Sequence, residues 1–290
     1  MNALRSNGFF LDFGPEFDVF RLARFFGVPA QMIERLARLG YVSIGIVYVI
    51  AGLLAAAAGA GAGGSTRGQQ GAFAFILRQP YGRVVLAVIA LGLGGYALWR
   101  FVDGLADSER RGSDAKALAV RIGSVVRGVL YAVIAFELVR LLTRGIGGKG
   151  SDAQAKHWTA RLIGEPFGQT LIAAAGVAVL AVGAYHLYKG VAAKLSKRLH
   201  LNSMNGSTRR TVVAISRFGL AARGVVFLLI GGSLVFAAVR GDPSSARGTS
   251  GALRLLSEPF DGALLVVIGV GLAAYGVYAF INARYRAIRA

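Results

Sequence analysis

Arg217-Phe218-Gly219-Leu220-Ala221-Ala222-Arg223-Gly224-Val225-Val226-Phe227 is the third copy of a stretch the chain writes three times. The first copy runs Arg38-Leu39-Gly40, then Gly45, then Tyr48. The second runs Arg121-Ile122-Gly123, then Gly128, then Tyr131. Downstream of each copy come a loop, a proline with an aromatic (Pro80-Tyr81, Pro166-Phe167, Pro259-Phe260), and a closing aromatic pair. The closing pairs are Tyr96/Trp99, Tyr185/Tyr188 and Tyr275/Tyr278. A repeat of this length is one supersecondary unit that buries its faces against copies of itself.

Each unit holds two strongly apolar segments. Of the 290 residues 55% are hydrophobic and 16% charged, and the mean hydropathy is +0.57. The six apolar stretches are Tyr41–Ala58, Val84–Trp99, Gly128–Leu142, Leu171–Tyr188, Gly224–Val239 and Ala263–Ile281. Some fall short of the roughly 20 residues that cross about 30 Å of hydrocarbon. A further turn at each end makes up the length, with arginine heads reaching the headgroups. A helix on the surface of a soluble protein carries a polar stripe, and Leu86–Tyr96 has none. The composition therefore excludes a soluble globular class and predicts six transmembrane helices.

The net charge is +19 and the pI near 11.1. On a soluble chain this would indicate nucleic acid; on a multipass chain it reports topology. Lys and Arg concentrate in the amino-terminal segment, the connections 100–121 and 189–217, and the carboxyl tail. Both termini are thus predicted to be cytoplasmic in a bacterial inner membrane, with membrane lipids, anionic ones included, and other membrane subunits as partners and no nucleic acid. With no cysteine in the chain, thiolate metal sites and thiol nucleophiles are excluded. Asp12, Glu16 and Asp18 interrupt the amino terminus, which does not read as a signal peptide.

The predicted organisation is an interfacial or cytoplasmic segment 1–34 followed by repeats 35–110, 111–200 and 201–290. Each outer loop is Gly/Ser-rich and then carries a short apolar stretch before its proline. The unit thus reads as span, loop, short surface-parallel helix and a second span with proline in its first turn. Two spans per unit insert all units in the same direction, unlike inverted repeats. The expected fold is an all-α membrane protein, three parallel two-helix repeats forming a quasi-threefold bundle. The second unit has three more residues between Pro166 and Tyr185 than the others have at that place, so equivalence should fail there.

The pattern Arg-x-Gly-x-x-x-x-Gly-x-x-aromatic, Gly-rich loop, Pro-aromatic, Tyr-x-x-aromatic resembles an uncharacterised bacterial membrane family, a domain of unknown function. In that family a two-helix region occurs three times per chain. The resemblance covers roughly Arg35 to Arg286 and implies a multipass membrane protein; it implies no activity and no site residues.

Ionisable groups within spans are the default candidate sites. Glu137 is either a protonatable group on an ion path or a helix partner of Arg140; the lack of a second acid at equal depth favours the pair. Arg127 and Arg223 occupy matching positions where the first unit has Ile44. Together with Lys194, Lys197, Arg198, Arg209 and Arg210 they would attract anionic headgroups. His186 could ligate or shuttle protons, but His157 and His200 are far away in sequence and no metal-ligand spacing occurs. Asp103 reads as a solvated helix end, and the Tyr/Trp pairs as interfacial belt residues. The segment Gly145–Ser151 departs from a phosphate loop at its first glycine and after Lys149. No nucleophile elbow or carboxylate dyad is present. The expected function is a non-catalytic structural or accessory membrane protein without cofactor or metal; the alternative is a small channel or transporter through the bundle centre.

Overall fold

The computed structural model describes residues 30–105, 115–145, 150–192 and 206–285. The amino-terminal segment 1–29, together with Lys194, Lys197 and Arg198, lies outside the described residues. The long helices are α1 (Ala30–Gly59), α3 (Gly82–Leu105), α4 (Ala115–Arg144), α6 (Gly168–Ala192), α7 (Gly206–Arg240) and α9 (Ala263–Tyr285). Each is long and apolar enough to cross a membrane. In hydrocarbon a helix satisfies its own backbone groups, and the Ala, Val, Leu, Ile and Gly of these segments leave no side chain to compete. The short helices α2 (Gln69–Leu77), α5 (Ser151–Ile163) and α8 (Thr249–Leu255) occupy the connections within each repeat.

The spans pair in a cyclic order. α3 packs on α4, α6 on α7, and α9 on α1, so each second span meets the first span of the following repeat and the last returns to the first. The arginine that opens each repeat secures this pairing at the helix ends. Arg38 donates to the carbonyls of Ala283 (2.5 Å) and Arg284 (3.3 Å). Arg121 donates to Gly104 (2.9 Å) and Leu105 (2.7 Å), and Arg217 to Gly190 (2.7 Å) and Val191 (2.5 Å). The last carbonyls of a helix lack intrahelical donors and carry partial negative charge, so a guanidinium from the neighbouring repeat satisfies both needs.

Packing within a repeat is uneven. α1 lies on α3 and α7 on α9, but α4 and α6 hardly touch. In the first repeat Ser43 meets Gly92, and in the third Ala222 meets Gly271, so closely that a Cβ on either glycine would collide. The second repeat places Val126 and Ala181 at those positions. The added volume holds the two spans apart, and Val126 is 51% exposed. Gly40 and Gly219 abut the Tyr96 and Tyr275 backbones, whereas a Cβ on the matching Gly123 would meet only the Arg127 guanidinium, at 3.8 Å. The expected failure of equivalence falls on the second repeat, and its cause lies in these bulkier contact residues as well as in the extra length after Pro166.

The prolines sit differently from the expectation. α3 and α6 begin at Gly82 and Gly168, two residues after Pro80 and Pro166, and the intervening Tyr81 and Phe167 have φ of 62°. Glycine is required next because a Cβ there would strike the carbonyls of Ile76 and Leu162. Tyr81 and Phe167 are 84% and 82% exposed, consistent with rings held at the interface on a left-handed turn.

The short connecting helices meet one another. Ser151 N donates to Gln70 Oε1 at 2.8 Å, and the Ser151 and Ser250 hydroxyls are 2.8 Å apart. Asp152 accepts from Gly248 N (2.9 Å) and Gly251 N (2.7 Å) and pairs with Arg254, capping α8 from a different repeat. Side-chain caps contribute typically about 1 kcal/mol, up to about 2. Asp152→Ala is therefore expected to lower the thermal midpoint in detergent, with Asp152→Asn intermediate. An unchanged midpoint for Asp152→Ala would show that the cap is not formed. Beyond α7, hydrogen bonds from Ser245 and Ser244 hold the Asp242 carboxyl below its ordinary value and shape the turn Pro243–Ser245.

Candidate functional site

One position in the repeated stretch brings all three repeats together. Tyr48, Tyr131 and Phe227 stand at the same place in α1, α4 and α7, and all three lie against Arg223. The guanidinium carbon is 5.1 Å from the Tyr48 ring centre, 5.0 Å from Phe227 and 4.4 Å from Tyr275. The Tyr131 side chain faces the same guanidinium. Tyr48 and Tyr275 stack edge to face at 4.8 Å, as do Tyr96 and Tyr131. Phe227 is on the same helix face one turn after Arg223, while Tyr48 and Tyr275 arrive from α1 and α9.

Arg223 is thereby prevented from extending freely to the headgroups. Its Nε is buried without a hydrogen-bond partner, and none of the ion pairs among the described residues involves it. Each aromatic face contributes about 0.5–2 kcal/mol to a cation. Rings do not neutralise it.

Three further basic groups share this region. His186 on α6 is within electrostatic reach of Arg223, Lys189 and Arg127, and its ring is 5.7 Å from Phe227. Its Nδ1 is 2.8 Å from the Val182 carbonyl. Lys189 sits 4.4 Å over Tyr185. Arg127, exposed on α4, donates Nε to Gly123 O at 2.8 Å. The sequence-predicted residues Arg127, Arg223 and His186 are thus brought together where α4 and α6 stand apart. Chemically, the site offers guanidinium donors and positive charge on an aromatic floor.

Glu137 is not part of it. Its carboxylate accepts from Arg140 at 3.1 Å, with both side chains partly exposed, more than a helical turn further along α4 than Tyr131. Arg209 and Arg210 are exposed at the start of α7. Among the described residues no group of three His, Asp or Glu has the arrangement of a metal site.

A second polar cluster escapes a reading by sequence. Asp103, expected to be solvated, is 0% exposed, and Arg100 is 2% exposed. Arg100 Nη1 lies 3.3 Å from Asp103 Oδ2, which also accepts from Ser124 Oγ at 2.7 Å. Arg100 donates to Tyr96 Oη at 2.9 and 2.8 Å and to Tyr41 Oη at 3.3 Å, and its guanidinium lies 4.2 Å over Trp99. Tyr96 and Trp99 are consequently buried core residues. Tyr185 and Tyr188, 49% and 64% exposed, keep the outward position expected of a belt. The available signal was the i,i+3 spacing of Arg100 and Asp103 at the end of an apolar helix; their burial depends on Tyr41 and Ser124 from two other helices.

Comparison with known proteins follows the same repeat. The family described as Domain of Unknown Function (DUF1206) matches at residues 39–107, 122–193 and 218–286. The chain is also similar to the "Uncharacterized protein YxxB" of Bacillus subtilis (strain 168), 33% identical over 255 residues, covering 88% of this chain and 91% of the relative. No solved structure matches it.

Proposed function

Because the chain belongs to the DUF1206 family, with that domain present three times, we propose that it is a non-catalytic structural or accessory subunit of the bacterial cytoplasmic membrane. Both termini face the cytoplasm, and its basic end engages anionic lipid. The observation that carries this reading is the basic start of α7, where Arg209 and Arg210 are exposed in the first turns ahead of the apolar stretch. At the opposite end Glu137 takes up Arg140, and Asp152 takes up Arg254. A transport reading needs Glu137 on an ion path, and its pairing with Arg140 favours the accessory role instead.

A basic residue near an anionic leaflet contributes about 1 kcal/mol. Arg209→Glu combined with Arg210→Glu is therefore expected to reduce retention of phosphatidylglycerol, measured by native mass spectrometry, by about tenfold or more. Unchanged retention counts against the lipid-facing role. Proteins that co-purify in mild detergent would identify the complex it serves.

A further inference from the structure

The second repeat differs from the other two in ways that converge on one place. Where the first and third repeats bring their spans into contact through Gly92 and Gly271, Val126 and Ala181 keep α4 and α6 apart. Basic side chains line this gap, and one of them is special to the second repeat: His186 stands where the others have Ala97 and Gly276. Arg127 stands where the first repeat has Ile44 and the third has Arg223, and Lys189 where the first has Arg100 and the third Ala279. Gly276 packs against the backbone of α1, a position that could not accept an imidazole. Behind the gap is Arg223, stacked on Tyr48, Tyr275 and Phe227, with a buried Nε that has no partner among the described residues.

A cation in a low-dielectric site without an acidic partner calls for an anion. Arg223 lies six residues past Arg217, about 9 Å along the helix, just inside the level at which the motif arginines tie off the helix ends. Guanidinium groups bind phosphate through parallel N–H donors. Tyr131 adds a hydroxyl donor, and the aromatic floor excludes water from beneath the ion.

We propose that the gap between α4 and α6 admits a phosphate group to a site formed by Arg223, Arg127 and His186. The phosphate belongs either to the headgroup of an anionic lipid entering sideways or to a free phosphate entering from the basic end. This rests on the lipid-binding reading above but assigns it to an internal site instead of the exposed charges of α7.

The test uses the full-length protein in mild detergent after lipid removal. Short-chain phosphatidylglycerol, phosphatidylcholine and inorganic phosphate are added separately, with native mass spectrometry and thermal midpoint as readouts. Wild type is expected to bind one phosphatidylglycerol saturably and more tightly than phosphatidylcholine. Arg223→Lys and Arg127→Gln should each weaken that binding at least tenfold. Displacement of the lipid by millimolar inorganic phosphate, with the same dependence on Arg223, would identify free phosphate as the natural occupant. Equal binding by wild type and both variants overturns the proposal. If Arg223→Lys does not fold, Arg127→Gln decides, because Arg127 is exposed and its loss leaves the core intact. Weakening confined to the Arg209→Glu, Arg210→Glu protein supports surface charge alone and overturns the internal site. Weakening confined to Arg223 and Arg127 supports the internal site and removes the surface-charge reading, and no weakening in any variant removes both.

Discussion

Alanine at Gly123 is expected to leave the protein as stable as wild type or more so by up to about 1 kcal/mol, whereas alanine at Gly40 or Gly219 should destabilise it. In a helix interior, glycine is intrinsically about 1 kcal/mol worse than alanine, so the substitution gains stability wherever the methyl fits. At Gly123 it fits, since the nearest neighbour is the end of the flexible Arg127 side chain. At Gly40 the methyl would overlap Tyr96 and the Gly92 carbonyl, and at Gly219 the backbone of Ala274 and Tyr275. Backbone cannot step aside as a side-chain tip can, and overpacking of this kind costs about 1–3 kcal/mol or more. Thermal unfolding in detergent, comparing the three single variants, reads the difference directly. Because the three glycines occupy the same motif position, equal destabilisation at all three would mean that α4 and α6 are closed like the other pairs.

Asp103→Ala is expected to cost more, about 3–5 kcal/mol. Removing one member of a buried ion pair leaves the other charge uncompensated. Here that charge is Arg100, whose remaining partners are the hydroxyls of Tyr96 and Tyr41 and the faces of Trp99 and Tyr96. Ser124 would also lose its acceptor. A double variant, Arg100→Met with Asp103→Leu, removes both charges and should recover much of the loss, since buried pairs are often replaceable by apolar residues of similar volume. Denaturation monitored by Trp99 and Trp158 fluorescence checks both, with the single variant well below the double. The reverse order would mean that Asp103 is solvated, as its place at a helix end suggests.

The six spans were legible because apolar length and a three-times-repeated motif report the same segments. The role of the motif arginine was not, because its acceptors are the carbonyls of another repeat. For Arg38 these belong to Ala283 and Arg284, at the far end of the chain. The meeting of Arg127, Arg223 and His186 was half legible. Their residue types mark them as costly in a span, but only the cyclic pairing brings α6 and α7 together beside α4. The separation of α4 and α6 was written in Val126 and Ala181, visible once the repeats are aligned on their glycines and closing tyrosines. Asp103 was misread because burial at a helix end is decided by neighbours such as Tyr41 and Ser124. The helix starts lie two residues beyond Pro80 and Pro166, a shift the sequence does not announce because a left-handed aromatic, Tyr81 or Phe167, carries no signature of its own.

The most direct test of the whole arrangement exploits the absence of cysteine. Ser151 and Ser250, from the second and third repeats and separated by two spans, have hydroxyls 2.8 Å apart. With Ser151→Cys and Ser250→Cys combined, an intramolecular disulfide should form in living cells without added oxidant, because the proposed orientation puts both residues on the oxidising outer side of the membrane. It would appear as a mobility shift that reductant reverses and that neither single variant shows. Two thiols that remain free and separately labelled, even after oxidant is added to isolated membranes, would contradict three like-oriented hairpins meeting at their short connecting helices.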